Sequence, residues 1–197
     1  MPNLVSNAQQ LFQYRSSIPK GPLAWLFAAG GGLGALIGSF ALDGLPTDFL
    51  KLTVAGIVAA YILARLLKPA LAIAPQGGTL LAGPVGTFAG FLQGAAGISA
   101  PISVTFLSAL HLQRQPFIAT IAIFFIALGL VQLPTLVLIG LLDGQTLILS
   151  CAAIIPLLAG MRLGDAIIQR AKPIWFERAI ISVLVLMALI LGGSVWI

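Results

Sequence analysis

Residues 117–142 read FIATIAIFFIALGLVQLPTLVLIGLL, 26 residues without a charge. Coiled as a helix, such a run is about 39 Å long, more than the roughly 30 Å of a bilayer's hydrocarbon core. Five further apolar stretches lie at Leu23–Leu42, Phe49–Leu67, Thr79–Leu110, Thr146–Leu163 and Phe176–Trp196. In lipid, every backbone polar group must find its partner within the protein, so only helices and closed barrels span. Continuous apolar runs, without the alternation of barrel strands, predict helices. The expected architecture is an all-α polytopic membrane protein with about six apolar segments, multi-pass in the cytoplasmic (inner) cell membrane. The lipid bilayer is its first partner. Composition agrees: 59% of residues are hydrophobic and 8% charged, against roughly 25% charged in soluble domains.

Several function classes find no support. The net charge is +5, but the basic residues flank apolar runs and form no stripe interleaved with aromatics, so no nucleic-acid partner is expected. Cys151 is the single cysteine and His111 the single histidine. Neither has partners at metal-ligand spacing, so no metal or cofactor is expected. Asp43, Asp143 and Asp165 sit at the ends of runs, and no carboxylate lies deep within one. No nucleophile motif accompanies the serines, so no catalytic residue and no enzyme activity are expected. Residues 1–22 form a polar lead-in without the apolar core of a signal peptide. Trp25 and Trp196 suit interfacial anchoring.

The chain repeats itself. GALIGSFALDGLPTDFLK, at the end of the first run, parallels GMRLGDAIIQRAKPIWFER near the end of the chain. Gly34 and Gly38 match Gly160 and Gly164. Pro46, Phe49 and Lys51 match Pro173, Phe176 and Arg178, with one extra residue in the second copy. Internal repeats are a transporter signature. The expected division is 1–22 as lead-in, 23–68 as the end of a first repeat with two transmembrane helices, and 69–197 as a second repeat. The second repeat would hold a broken or re-entrant segment at 79–110 and then three transmembrane helices. If both units had the same elements, the first would lack its opening two.

One run is interrupted. GFLQGAAGISAPISVTFLSAL, residues 90–110, is apolar enough for lipid, yet Gly94–Pro101 should break a helix. If every run crosses once, the ten Lys and Arg fall four against six on the two sides, which decides nothing. If instead 79–110 enters and returns, Arg15, Lys20, Arg65, Lys68, Arg114, Arg162, Arg170, Lys172 and Arg178 share one side. Only Lys51 then remains opposite, with Asp43, Asp48 and Asp143. That asymmetry matches the positive-inside rule, and the same hairpin would orient the two repeats oppositely. The alternative is that Thr79–Ile98 spans alone and Pro101–Leu110 is a half-helix.

A broken helix leaves unpaired N–H groups at the start of its second half, and these attract anions. Pro101 suits the opening of that half. Ser99 and Ser103 offer hydroxyls, Gln93 an amide, and Gly94 and Gly97 leave the backbone open. These six residues are the candidate site for a small anionic substrate. The competing reading is a kink that only packs against a neighbour.

The same residues resemble the second glycine-rich motif of the sulfite exporter TauE/SafE family, a sulfonate permease superfamily. Its pattern is Gly-Phe-x-x-Gly-x-x-Gly-x-x-Gly-Pro. Gly90, Phe91, Gly94, Gly97 and Pro101 match it, and Ala100 stands in place of its last glycine. GMRLGDAIIQRAKPIWFERAIISVLVLMALILGG is similar to the family's last two helices. The resemblance covers about residues 20–195. It implies export or uptake of sulfite, organosulfonates or related anions, by a site between two glycine-rich motifs of which this sequence holds one. The reading that follows is a permease for small sulfur-containing anions, with homo-oligomers possible. The alternative is a non-transporting membrane subunit or truncated pseudo-transporter that needs a partner chain.

Overall fold

A computed structural model of the chain describes residues 1–44, 46, 56 and 72–168. Every regular element among them is helical: α1 (Pro2–Tyr14), a 3₁₀ turn (Arg15–Ser17), α2 (Leu23–Gly44), α3 (Pro75–Ala96), α4 (Ala100–Ala109), α5 (Arg114–Leu138), α6 (Gly144–Ala152) and α7 (Ile154–Ile168). Leu23–Leu42, Arg114–Leu138 and Gly144–Leu163 are each long and apolar enough to cross a membrane. The runs expected at Phe49–Leu67 and Phe176–Trp196, and the basic loop through Arg178, lie outside the described residues.

Glycine spacing decides how α2 meets α3. Residues four apart share a helix face, and α2 carries Gly30, Gly34 and Gly38 while α3 carries Gly86, Gly90 and Gly94. A Cβ on Gly34 or Gly38 would overlap the carbonyl of Thr87 or Phe91. In return, a Cβ on Gly86, Gly90 or Gly94 would overlap the carbonyl of Phe27, Gly31 or Ala35. The two backbones therefore touch along three turns. Residue numbers rise together across this contact, so α2 and α3 run parallel. Close backbone approach matters here because lipid gives helices no hydrophobic reason to associate.

α5 lies against α2 on the neighbouring face. Gly31 faces the ring of Phe124, and a Cβ on Gly32 would sit 3.4 Å from Val131. Phe124 stacks on Phe27 at 4.2 Å between ring centroids, and Phe27 lies 5.3 Å from Phe106 of α4. All three rings are buried. This aromatic cluster pins α4 to α2 and α5.

α3 and α4 form a hairpin. Gly97 ends α3 in the left-handed conformation (φ 72°), and its N–H donates to the Gln93 carbonyl at 2.9 Å. α4 then runs back along α3 until the N–H of Ile73 donates to the Ala109 carbonyl at 2.8 Å. The chain thus returns to the end from which α3 set out. α3 is about 33 Å long and α4 about 15 Å, and residues 97–99 cover part of the difference. The break lies beside the C-terminal ends of α2 and α5, not halfway along them.

Three elements differ from the sequence expectation. The run 117–142 gives a helix that stops at Leu138, because Gly140 takes a left-handed conformation (φ 73°). The N–H groups of Gly140 and Leu141 then donate to the carbonyls of Val137 and Leu136 at 3.1 and 3.0 Å, a Schellman closure. Pro134, within the same run, stays inside α5. The stretch 146–163 divides at Ala153 into α6 and α7. Pro156 explains this, since it has no N–H for the Ala152 carbonyl and its ring crowds that group.

The polar lead-in contains α1, which packs on α5. Leu4 lies against Gly129, and Ser17 Oγ donates to Gln115 Oε1 at 3.0 Å, so α1 runs antiparallel to α5. Leu11 and Ile18 pack against Ala24, Ala28 and Ile123. Leu4, Leu11 and Ile18 recur every seven residues and form one narrow apolar stripe.

Candidate anion site at the helix break

The break brings together the residues that the sequence singled out. Gln93 ends the last full turn of α3, and Ser99 is the residue before α4. Ser99 does not cap α4. Its Oγ reaches back to donate to Gln93 Oε1 at 2.9 Å, across the hairpin. The N–H groups of Ile102 and Ser103 donate to the Ser99 carbonyl at 3.1 and 3.0 Å and Pro101 has none, so among the described bonds the Ala100 N–H is the amide left open to an anion at the start of α4. Pro101 occupies one of the first two positions of α4, where its missing N–H costs nothing.

Burial differs sharply among the six residues. Ser99, Pro101 and Ser103 are buried, Gly94 is buried against α2, Gln93 is half-buried and Gly97 is exposed. Gly94 cannot carry a side chain, since Ala35 and Ser39 of α2 fill the space. Its role is close packing of the hairpin on α2. Gly97 has open space around its Cα, so its glycine is needed for the left-handed turn and not for room. Ser103 Oγ donates to the Ser99 carbonyl at 3.0 Å, so its proton is engaged within α4. Gln93, Ser99 and the Ala100 amide are thus the polar groups gathered at the break, with Pro101 and Ser103 shaping the turn.

Two residues join the site that the sequence did not single out. Gln132 of α5 donates from Nε2 to the Gln93 carbonyl at 3.2 Å. That carbonyl also accepts from Gly97, so α5 grips the hairpin at its turning point. Gln132 is the one amide side chain in the apolar part of its run, and that isolation was the available signal. Ser39 of α2 is the other: its main-chain nitrogen would lie 2.6 Å from a Cβ on Gly94. Nothing in the glycine-rich run 30–38 marks Ser39 as special.

The described cations stand away from the break. Arg15, Lys20 and Arg114 are exposed near the starts of α2 and α5, the end opposite the hairpin turn, and Arg162 is exposed on α7. Asp143, in the turn between α5 and α6, caps α6. The Thr146 side chain and then the Thr146 N–H, 2.8 Å away, hold its carboxyl below the ordinary value of 3.8. Among the described residues no three His, Cys, Asp or Glu side chains gather as metal ligands would.

An all-helical membrane protein with a hairpin broken at a glycine has an architecture found among transporters, where discontinuous helices occur. The sequence comparison gives the family: the model for the sulfite exporter TauE/SafE matches residues 1–191, and the chain belongs to this family. No curated protein and no solved structure matches it. The family is one of membrane transporters for sulfite- and sulfonate-type anions, not of enzymes.

Proposed function

We propose that this chain is a permease of the cytoplasmic (inner) cell membrane, crossing it several times, that moves small sulfur-containing anions such as sulfite or sulfonates. The carrying observation is the uncapped start of α4 beside Ser99, Gln93 and Gly97, inside an apolar helical hairpin. Amide donors at a helix start stabilise an oxyanion without a fixed counter-charge. The hairpin of α3 and α4 enters the membrane and returns, and the basic starts of α2 and α5 face the cytoplasm, in keeping with the positive-inside rule. Export or uptake then follows from alternate exposure of the break to the two sides.

A second reading is a membrane subunit that works only with a partner chain or with another copy of itself. One observation favours it. A Cβ on Gly160 would meet no atom of the described residues within 4 Å, although one on its repeat counterpart Gly34 would overlap the Thr87 carbonyl.

The test is thermal melting of the purified protein in detergent at fixed ionic strength, with sulfite, sulfate, thiosulfate, a sulfonate, acetate and chloride. A ligand at 100 times its Kd stabilises by about 2.7 kcal/mol. The permease reading expects a selective shift with at least one of the sulfur oxyanions, larger than any with acetate or chloride, and its loss in Gly97→Leu, which still inserts in membranes. Equal response to all anions, or a shift that survives Gly97→Leu, contradicts it. Flux into proteoliposomes then separates a permease from a subunit.

A further inference from the structure

Ser39 is wholly buried, and its Oγ has no hydrogen-bond partner among the described residues. The other described buried hydroxyls are all paired. Ser103, Thr120 and Thr135 fold back onto carbonyls of their own helices at 2.8–3.0 Å, and Ser99 bonds Gln93. A helical serine has the same recourse available to it, and Ser39 does not take it. An unmet buried hydroxyl costs free energy in the empty protein.

Its position gives a reason. The backbone of Ser39 lies against Gly94 of α3. It therefore stands beside the turn of Gln93, whose carbonyl the Gln132 side chain of α5 reaches at 3.2 Å. We propose that Ser39 is a further substrate-binding residue. With the side-chain amides of Gln93 and Gln132 it completes a set of uncharged donors that selects singly charged oxyanions over doubly charged ones. This rests on the anion reading of the break given above.

The selectivity follows from charge. No described cation lies at the break. The cost of removing an ion from water rises with the square of its charge, so a dianion costs about four times as much as a monoanion of equal size. Neutral donors gain only in proportion to the charge. A site of hydroxyls, amides and a helix start thus holds hydrogen sulfite or an alkanesulfonate better than sulfite or sulfate dianion.

Melting of the full chain in detergent tests this with methanesulfonate, sulfate and sulfite at fixed ionic strength. Methanesulfonate should stabilise the protein and sulfate should not. Sulfite should act more strongly on the acid side of its second ionisation than on the alkaline side. Ser39→Ala should weaken methanesulfonate about tenfold or more, while melting at or above the parent's temperature without ligand. Sulfate binding as well as methanesulfonate overturns the proposal. So does Ser39→Ala that binds like the parent, or that melts lower without ligand because the hydroxyl serves packing. If methanesulfonate binding survives Ser39→Ala but not Gly97→Leu, the permease reading stands and Ser39 falls. If no anion stabilises the protein, both fall.

Discussion

Gly83 and Gly90 belong to one helix and serve it in opposite ways. Among the described residues a Cβ on Gly83 meets nothing within 4 Å, whereas one on Gly90 would overlap the Gly31 carbonyl. Gly83→Ala should therefore leave stability unchanged or raise it by about 1 kcal/mol or less, the helix-propensity gain. Gly90→Ala must push α2 and α3 apart and should cost about 1–3 kcal/mol. Reversible unfolding in mixed detergent measures both. Asp143 acts at the same scale through its cap on α6. A carboxyl held below 3.8 in the folded protein stabilises it above that range and loses the contribution as pH falls through the folded value. Asp143→Ala should thus lower the melting temperature by a constant amount at neutral pH, and the gap to the parent should close below about pH 4.

At the scale of elements, proline and glycine punctuate the chain more locally than the sequence suggested. Gly140 stops α5 and Pro156 parts α6 from α7, while Pro134 is absorbed. Pro156→Ala restores a donor for the Ala152 carbonyl, so α6 and α7 should join. Hydrogen exchange would show it as stronger protection of amides 153–155 and as a protected new amide at 156. The hairpin was legible in the sequence because a glycine, two small residues and a proline cluster within one apolar run, and because one-sided positive charge required a return. The six candidate residues do meet at one turn. Ser39 and Gln132 were not legible, since their place depends on which face of α2 and α5 turns toward α3. That is settled by glycine contacts between elements far apart in sequence. α1 escaped for a related reason: its stripe of Leu4, Leu11 and Ile18 is too thin to stand out, and it becomes a packing face only when α5 is beside it.

Across the whole molecule, the direct glycine-to-carbonyl contact of α2 with α3 has a calorimetric consequence. When a soluble core opens, apolar surface meets water, heat capacity rises and the stability curve bends into a dome. When α2 leaves α3 within a bilayer or micelle, the freed surface meets acyl chains. Hydration hardly changes, so the separation should absorb heat with little change in heat capacity. The free energy holding these helices together should then fall almost linearly on warming, without a cold limb. Scanning calorimetry of the parent and of Gly90→Ala would compare slopes directly, and both should be nearly straight.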